Sequence, residues 1–200
     1  MFKHTLYAVR HGQTGWNAQE RFQGRTDVPL APIGRQQVEA NAVRLSDHLR
    51  SRPASDQPLR LFTSPLSRCA ETGAIMATRL PIPPEARACD ERLAEAGFGR
   101  WEGLTTYEVK ERFPHERRLR KADRWNFAPA GGGSYADLSR SMQSFLDDAG
   151  QGPPMLIVSH SGNLRVMFGM LKGLDAEETM RLSIPHDRVF VWERGCLLLI

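Results

Sequence analysis

The sequence predicts an α/β fold, a three-layer α/β/α sandwich around a mainly parallel central sheet. Three short apolar runs, at 6–9, 59–62 and 155–158, have the length of buried strands. Each run is followed by a segment whose apolar residues recur at helical spacing, and this alternation favours a parallel sheet covered by helices. Two hundred residues can bury a core without disulfides or a structural metal, so we expect a single domain over 1–200.

The first half of the chain contains two predicted strand–helix units. The strand at 6–9 leads through a polar turn to a helix over 34–52, which Pro53 ends. The strand at 59–62 leads to a second helix, with Ser64 as its cap and the next residue, a proline, inside its first turn. This helix should run to about residue 78.

The second half continues the alternation. The predicted elements are a short strand at 86–89, a helix from Thr105 that breaks near Pro114, a helix capped by Ser134, the strand at 155–158, a helix over 162–171 and a terminal hairpin over 189–200.

Composition narrows the setting in which the chain works. Its three cysteines are widely spaced and form no C-x-x-C pair, so we expect no disulfide framework, no zinc site and a reducing cytoplasm. The start lacks the apolar stretch of a signal peptide, and no run approaches the length of a membrane span. The formal net charge of +4 fits either a nucleic-acid partner or a small anionic substrate.

Histidines follow two of the predicted strands at the point where each strand ends. Arg10-His11-Gly12 closes the first strand, and His160-Ser161-Gly162 closes the strand at 155–158. Open α/β sheets bind ligands at this edge. Arginine pairs bidentately with phosphate, and a nearby guanidinium lowers the pKa of a histidine, which keeps its lone pair free. The pattern therefore predicts a ligand site at this edge, and its arginine and histidine would suit a phosphoryl group.

Longer motifs resemble those of a known family. They are R-H-G-Q-T-G-W-N at 10–17 with Arg21, Gln23-Gly24 and D-V-P-L at 27–30, S-P-L-S-R-C-A-E-T at 64–72, and L-x-E-x-x-x-G-x-W-E-G around Glu95. Over about 4–165 the chain resembles the histidine phosphatase superfamily, also called the phosphoglycerate-mutase-like family. The resemblance implies that family's fold.

The resemblance also implies roles for individual residues. His11 would be the nucleophile, Glu95 the proton donor to the leaving oxygen, and His160 a second donor to the phosphoryl oxygens. Glu91 and Glu102 are the rival carboxylates, and we expect both to serve structure, Glu102 as an acceptor for backbone donors. The catalytic set is then His11, Glu95, His160, Arg10 and Arg68. The substrate-binding set is Arg10, Thr14, Asn17, Gln23, Gly24, Arg68, Ser161 and Gly162.

Two positions depart from the family pattern. Gly133 stands where the family commonly has glutamate, and Ser161 where it commonly has glycine. Other polar residues are assigned no role in chemistry. We expect the remaining histidines, His4, His48, His115 and His186, to lie at the surface or at caps, the basic run 117–121 to be a solvated helix face, and Trp101 and Trp125 to pack in the interior.

The sequence lacks three motifs that are typical of other kinds of phosphate chemistry. The sequence has no C-x5-R loop, no G-x-x-x-x-G-K-[ST] loop and no D-x-D cluster, so neither a metal nor a cofactor is expected. The main prediction is a phosphomonoester hydrolase that acts on a small phosphate ester, with no nucleic-acid or membrane partner. Two alternatives remain, a cofactor-dependent phosphoglycerate mutase and a non-catalytic anion-binding member. Chain length leans against the mutase, and the presence of His11 and Glu95 against the binder.

Overall fold

The computed structural model describes residues 5–52 and 57–200. Two residues with predictions lie outside the described residues: His4, expected at the surface or at a cap, and Pro53, expected to end a helix. Within these ranges the strands form one six-stranded sheet in the order β3-β2-β4-β1-β5-β6. The strands are β1 (Leu6–Arg10), β2 (Arg60–Thr63), β3 (Arg87–Cys89), β4 (Met155–Ser159), β5 (Phe190–Glu193) and β6 (Cys196–Leu199). The first four pair in parallel, whereas β5 and β6 are antiparallel additions at one edge. The predicted mainly parallel sheet is confirmed.

Helices connect and flank these strands. They are α1 (Gly15–Ala18), α2 (Pro32–Arg50), α3 (Ser67–Ala77), α4 (Thr106–Arg112), α5 (Pro114–Ala122), α6 (Tyr135–Ala149), α7 (Ser161–Lys172) and α8 (Ala176–Arg181). None of the helices in the described parts of the chain is both long and apolar enough to cross a membrane.

The sheet is buried on both faces. Alternate residues of β1 point to opposite sides, so Leu6 and Ala8 join one apolar cluster while Tyr7 and Val9 join the other. The first cluster packs against α6 and α7, and the second packs against α2 and α3. Two helical layers around one sheet confirm the three-layer sandwich, and the apolar run of β1 follows from burial on both faces.

Helix ends agree with the sequence signals in one case and differ in another. Ser134 caps α6, and its side chain accepts from the N–H of Asp137 at 3.1 Å. The prediction that Ser64 caps α3 is wrong, because this helix begins at Ser67 after an N-cap at Leu66 that has no side-chain bond. Ser64 instead hydrogen-bonds the ring of His160. The hydroxyl that the local pattern assigned to the helix therefore bonds a side chain that follows the end of β4.

Candidate active site

Strand pairing brings the two predicted pocket histidines together. Arg10 at the end of β1 is in register with Ser159 at the end of β4, and the N–H of His11 donates to the Ser159 carbonyl at 3.0 Å. The next residue on each strand is therefore a histidine. The rings of His11 and His160 meet edge to face with centroids 5.2 Å apart. Both side chains are buried.

His11 is held in one tautomer. Its Nδ1 lies 2.8 Å from the carbonyl oxygen of Gly12, and because a carbonyl only accepts, Nδ1 carries the proton. Nε2 is then the nitrogen with a free lone pair. Burial, followed by the nearby His160, Arg10 and Arg68, holds the pKa of His11 well below its usual value. The ring is neutral at physiological pH, as a nucleophile must be.

His160 is fixed from the side of α3. Its Nε2 lies 2.7 Å from the hydroxyl of Ser64 and 3.4 Å from the thiol sulfur of Cys69. Burial first, and then the charges of Arg68 and Arg10, lower the pKa of His160 as well. The two neighbouring rings are therefore both neutral, and they do not repel each other.

Two guanidinium groups flank the histidines, that of the buried Arg68 and that of the half-buried Arg10. Arg68 is 1% exposed and donates to the carbonyls of Thr26 and Gly24 at 2.9 and 2.7 Å. Arg10 donates to the carbonyl of Ile184 at 3.0 Å. The Nε–H of each arginine is buried and has no partner among the described residues. Both arginines line the same cavity, so an anion bound there would be stabilised by two guanidinium charges.

Glu95 faces the same cavity from the loop before α4. Its Oε2 accepts from the N–H of Gly162 at 3.1 Å, and its Oε1 accepts from the N–H of Ala96 at 3.1 Å. Glycine at position 162 lets the Glu95 carboxylate approach this closely, because a Cβ there would overlap Oε1 of Glu95. The first turn of α7 therefore orients this carboxylate.

These residues line one open cavity of about 220 Å³. The lining consists of Arg10, His11, Asn17, Arg21, Phe22, Gln23, Gly24, Arg68, Glu95, Phe98, Arg120, Arg124, Tyr135, His160, Ser161 and Arg165. All five predicted catalytic residues are among them, together with four of the predicted binding residues, Asn17, Gln23, Gly24 and Ser161.

The remaining two predicted binding residues lie behind the lining. Thr14 is fully buried and caps α1 in a reciprocal box with Asn17, whose N–H donates to the Thr14 hydroxyl at 3.2 Å. Gly162 reaches the site through its N–H to Glu95. Each of the two supports a neighbour that faces the cavity.

The structure also adds residues that the sequence did not indicate. His186, expected at the surface or at a cap, lies half-buried beside the nucleophile, with ring centroids 5.5 Å apart. Its Nδ1–H donates to the backbone carbonyl of His11 at 2.7 Å. Burial, followed by the charge of Arg10, lowers its pKa to about 4. No local pattern marks this residue, because its contact spans 175 positions in the chain.

The basic run 117–121 is only in part the solvated helix face that was expected. Arg118 is exposed, whereas Arg120 turns inward and lies 5.4 to 5.6 Å from the ring centroids of Phe22, Phe98 and Trp101. Such stacking on aromatic faces stabilises a guanidinium that has lost water. The sequence held one signal that Arg120 faces inward: in α5 the apolar Leu119 lies on the exposed side of the helix.

Other expectations for single residues can be placed as well. Glu102 accepts backbone N–H bonds from Arg25, Thr26 and Phe98 at 2.8 to 3.0 Å, which is the structural role predicted for it. Trp101 is fully buried, as expected. Trp125 is half-buried and stacks on Tyr135, next to the cavity.

A second and larger cavity of about 1020 Å³ lies at the opposite end of the strands, near Tyr7, Leu59 and Pro154. Its lining residues include no histidine and no carboxylate, so they offer no acid, base or nucleophile of the kind found at the strand ends. In the described parts of the chain, no group of three or more histidine, cysteine or acidic side chains is arranged to hold a metal.

Two buried histidines at the ends of neighbouring parallel strands, with Arg10 beside one of them and Arg68 at the start of α3, define an α/β protein with a basic cavity at the edge of its sheet. Residues 6–194 match the model of the histidine phosphatase superfamily, branch 1. The chain belongs to this superfamily.

Its relatives include both phosphatases and mutases. The chain is 34% identical to a glucosyl-3-phosphoglycerate phosphatase of Mycolicibacterium vanbaalenii, over 86% of this chain and 76% of that protein. It is 26% identical to a 2,3-bisphosphoglycerate-dependent phosphoglycerate mutase of a Chelativorans species, over 90% and 87% of the two chains. A solved structure of a mycobacterial glucosyl-3-phosphoglycerate phosphatase with VO3 superposes with a TM-score of 0.80 at 26% identity, covering 98% of this chain and 97% of that one.

Proposed function

We propose that the chain is a metal-independent phosphomonoester hydrolase that forms a phosphohistidine at His11. The observation that carries the proposal is the neutral His11 ring, whose Nδ1–H is bound to Gly12 and whose Nε2 is free, in a cavity that Arg10 and Arg68 also line. An ester phosphate in this cavity would be balanced by the positive charges of Arg10 and Arg68. It would also lie next to the only nitrogen of His11 that can attack it.

The first step transfers the phosphoryl group to the enzyme. Nε2 of His11 attacks phosphorus, the bond from phosphorus to the ester oxygen breaks, and the electron pair leaves with that oxygen. Glu95 gives the oxygen a proton, because an alkoxide is a poor leaving group. The positive charge that develops on the His11 ring is stabilised through Nδ1–H by the Gly12 carbonyl.

The second step releases phosphate. Glu95, now a carboxylate, takes a proton from water, and the resulting oxygen attacks phosphorus. The N–P bond breaks and its electron pair returns to Nε2 of His11. The two arginines supply the positive charge for both steps, so the reaction as written uses no metal ion.

The size of the cavity and the relatives support a small phosphorylated metabolite as substrate. Its volume of about 220 Å³ lies below the range of roughly 300–1,000 Å³ that holds drug-sized ligands. A relative that is 34% identical bears the name of a phosphatase of glucosyl-3-phosphoglycerate, which supports hydrolysis.

A phosphoglycerate mutase is the second candidate, because a relative with that name matches 90% of the chain. The same side chains serve both reactions, and only the acceptor of the phosphoryl group differs. A non-catalytic anion-binding protein is the third candidate, but such a protein needs neither an oriented nucleophile nor an oriented acid.

The test is to trap the intermediate. The protein is mixed with a ³²P-labelled phosphate ester in the presence of a chelator and quenched in alkali, in which phosphohistidine survives. We expect label on the protein and release of phosphate, both lost in His11→Ala and both kept in the exposed control His115→Ala. Labelling that needs added metal, or that persists in His11→Ala, would refute the proposal.

A parallel arm contains 3-phosphoglycerate with 2,3-bisphosphoglycerate. Interconversion of phosphoglycerates that is faster than phosphate release would identify a mutase.

A further inference from the structure

The loop that carries Glu95 begins where a single 3₁₀ turn ends. The turn spans Glu91–Leu93, and the next residue, Ala94, already has extended backbone geometry. The last carbonyls of a helical turn have no partner within the turn itself. Leu93 and Ala94 are both buried, so their carbonyls need donors from another part of the fold.

Asn163, in the first turn of α7, supplies such donors. Its side-chain Nδ2 lies 2.9 Å from the carbonyl oxygen of Leu93 and 2.8 Å from that of Ala94. A side-chain amide has two N–H groups, so Asn163 can bond both carbonyls at once. Ser159, at the end of β4, adds a bond from its hydroxyl to the Leu93 carbonyl at 2.9 Å. Asn163 and Ser159 are fully buried.

The bond to Ala94 acts on Glu95 through the peptide group. The carbonyl of Ala94 and the N–H of Glu95 belong to one planar unit, so a bond that fixes the carbonyl also fixes the plane from which Glu95 continues. At the other end of the residue, Oε2 of Glu95 accepts from the N–H of Gly162. Two neighbouring residues of one helical turn therefore hold Glu95, one at its backbone and one at its carboxylate.

The same turn begins at a pocket histidine. His160 is the N-cap of α7, so Gly162 and Asn163 follow it by two and three residues. Strand pairing holds His160 beside His11 independently of the Glu95 loop. The bonds from Asn163 therefore set where the Glu95 carboxyl lies relative to the two histidines.

We propose that Asn163 is a positioning residue for proton transfer, which holds the Glu95 carboxyl in reach of the leaving oxygen through its bonds to the Leu93 and Ala94 carbonyls. The inference rests on the proposed function, in which Glu95 is the proton donor. Asn163 is not among the residues that line the cavity, so it acts through the loop and not on the substrate.

The test removes the two donors and varies the leaving group. Asn163→Leu keeps nearly the same shape and has no N–H in its side chain. Cleavage of glycerol 3-phosphate needs a proton on the leaving oxygen, whereas p-nitrophenolate leaves without one. We expect the single-turnover rate to fall by about 100-fold with glycerol 3-phosphate, the cost of a misplacement of about 1 Å, and by less than about ten-fold with p-nitrophenyl phosphate. An equal loss with both esters would overturn the inference.

A double variant shows whether Asn163 acts through Glu95. In Glu95→Gln protein the proton donor is already gone, so adding Asn163→Leu should lower the rate with glycerol 3-phosphate by no more than about three-fold. Residues that act as a unit are non-additive in this way. A further loss of about 100-fold in the double variant would show a general structural effect and overturn the inference.

Two other variants control for stability. Thr179→Val alters a buried side chain that lies against Gly169, farther along α7, and it should leave the ratio of the two rates unchanged. Asn163→Ala is a milder change than leucine, because the freed space can admit a water molecule to the two carbonyls. It should lower the rate with glycerol 3-phosphate by about ten-fold and leave the rate with p-nitrophenyl phosphate nearly unchanged. Equal rates losses with both esters in this variant would also count against the inference.

The position of the carboxyl separates this inference from the proposed function. In crystals of Asn163→Leu or Asn163→Ala protein we expect Cδ of Glu95 to lie about 1 Å or more from its wild-type place. An unmoved carboxyl would overturn the inference even if a phosphohistidine forms at His11. If wild-type protein cleaves neither ester, the proposed function fails, and the crystals alone decide whether Asn163 positions Glu95.

Discussion

Replacing Gly162 with alanine tests how the proposed proton donor is positioned. The N–H of Gly162 binds Oε2 of Glu95, and an added methyl would overlap Oε1 while lying 3.1 Å from Cδ of Glu95 and 3.0 Å from Cδ1 of Leu138. Ordinary contacts begin at about 3.4 Å, so the carboxyl has to move by roughly 1 Å. The protein should still fold, because the displaced atoms are at the end of a flexible side chain and alanine favours the helix.

The expected loss depends on the leaving group. A misplacement of about 1 Å can cost about 100-fold in rate, and general acid catalysis is worth at least that much when the leaving oxygen needs a proton. The single-turnover rate of cleavage of an alkyl phosphate should therefore fall by about 100-fold in Gly162→Ala. p-Nitrophenolate leaves without a proton, so cleavage of its ester should fall by less than about ten-fold.

Gly133→Ala provides the matched control. The nearest atom to its added methyl is Oδ2 of Asp137 at 3.8 Å, an ordinary contact, so both rates should stay at the wild-type value. An equal loss with the two leaving groups in Gly162→Ala would refute the assignment of Glu95 as proton donor. Unchanged rates with both would show that this helix turn does not position it.

Two further predictions concern stability. Lowering the pH from 7 to 5 should lower the free energy of unfolding, because burial holds the pKa of His11 and of His160 well below 6.5 and that of His186 at about 4. Between those pKa values and 6.5 only the unfolded chain takes up protons. Each such histidine therefore lowers the free energy of unfolding by up to about 1.4 kcal/mol for each pH unit. A urea midpoint that does not fall at pH 5 would contradict this prediction. Glu102→Gln should cost about 1.5–3 kcal/mol, because the charged acceptor of three backbone N–H groups is lost. Urea titration measures this cost, and the exposed Glu91→Gln should stay within about 0.5 kcal/mol of wild type.

Local signals were enough for much of the fold and for the centre of the site. The apolar runs of β1 and β4 needed no partner information, because strands buried on both faces are apolar at every position. Their ends at Arg10 and Ser159 then placed His11 and His160 at one edge of the sheet. Ser134 predicted the start of α6, because its capping pattern lies within four residues of sequence.

The features that escaped prediction depend on distant contacts. Ser64 has the local sequence pattern of a helix cap, yet its hydroxyl hydrogen-bonds the ring of a histidine 96 positions away. Arg120 faces the cavity because Phe22 and Phe98, from two other loops, supply the aromatic surface that it covers. His186 is placed by the return of the chain into β5, next to β1. Neither periodicity nor composition contains information of this kind.

The spacing of the two pocket histidines is set by the backbone. Neighbouring strands in a sheet lie about 4.8 Å apart, and the rings of His11 and His160, each one residue beyond paired strands, lie 5.2 Å apart. Side-chain packing in the core is therefore not what determines their separation. The segment from α4 to the start of α6, which carries Arg124 and Tyr135, can accept insertions or exchange with another sequence while the histidine pair keeps its geometry. A designer who wants a new substrate can therefore rebuild that segment without moving the two strand ends that hold the histidines.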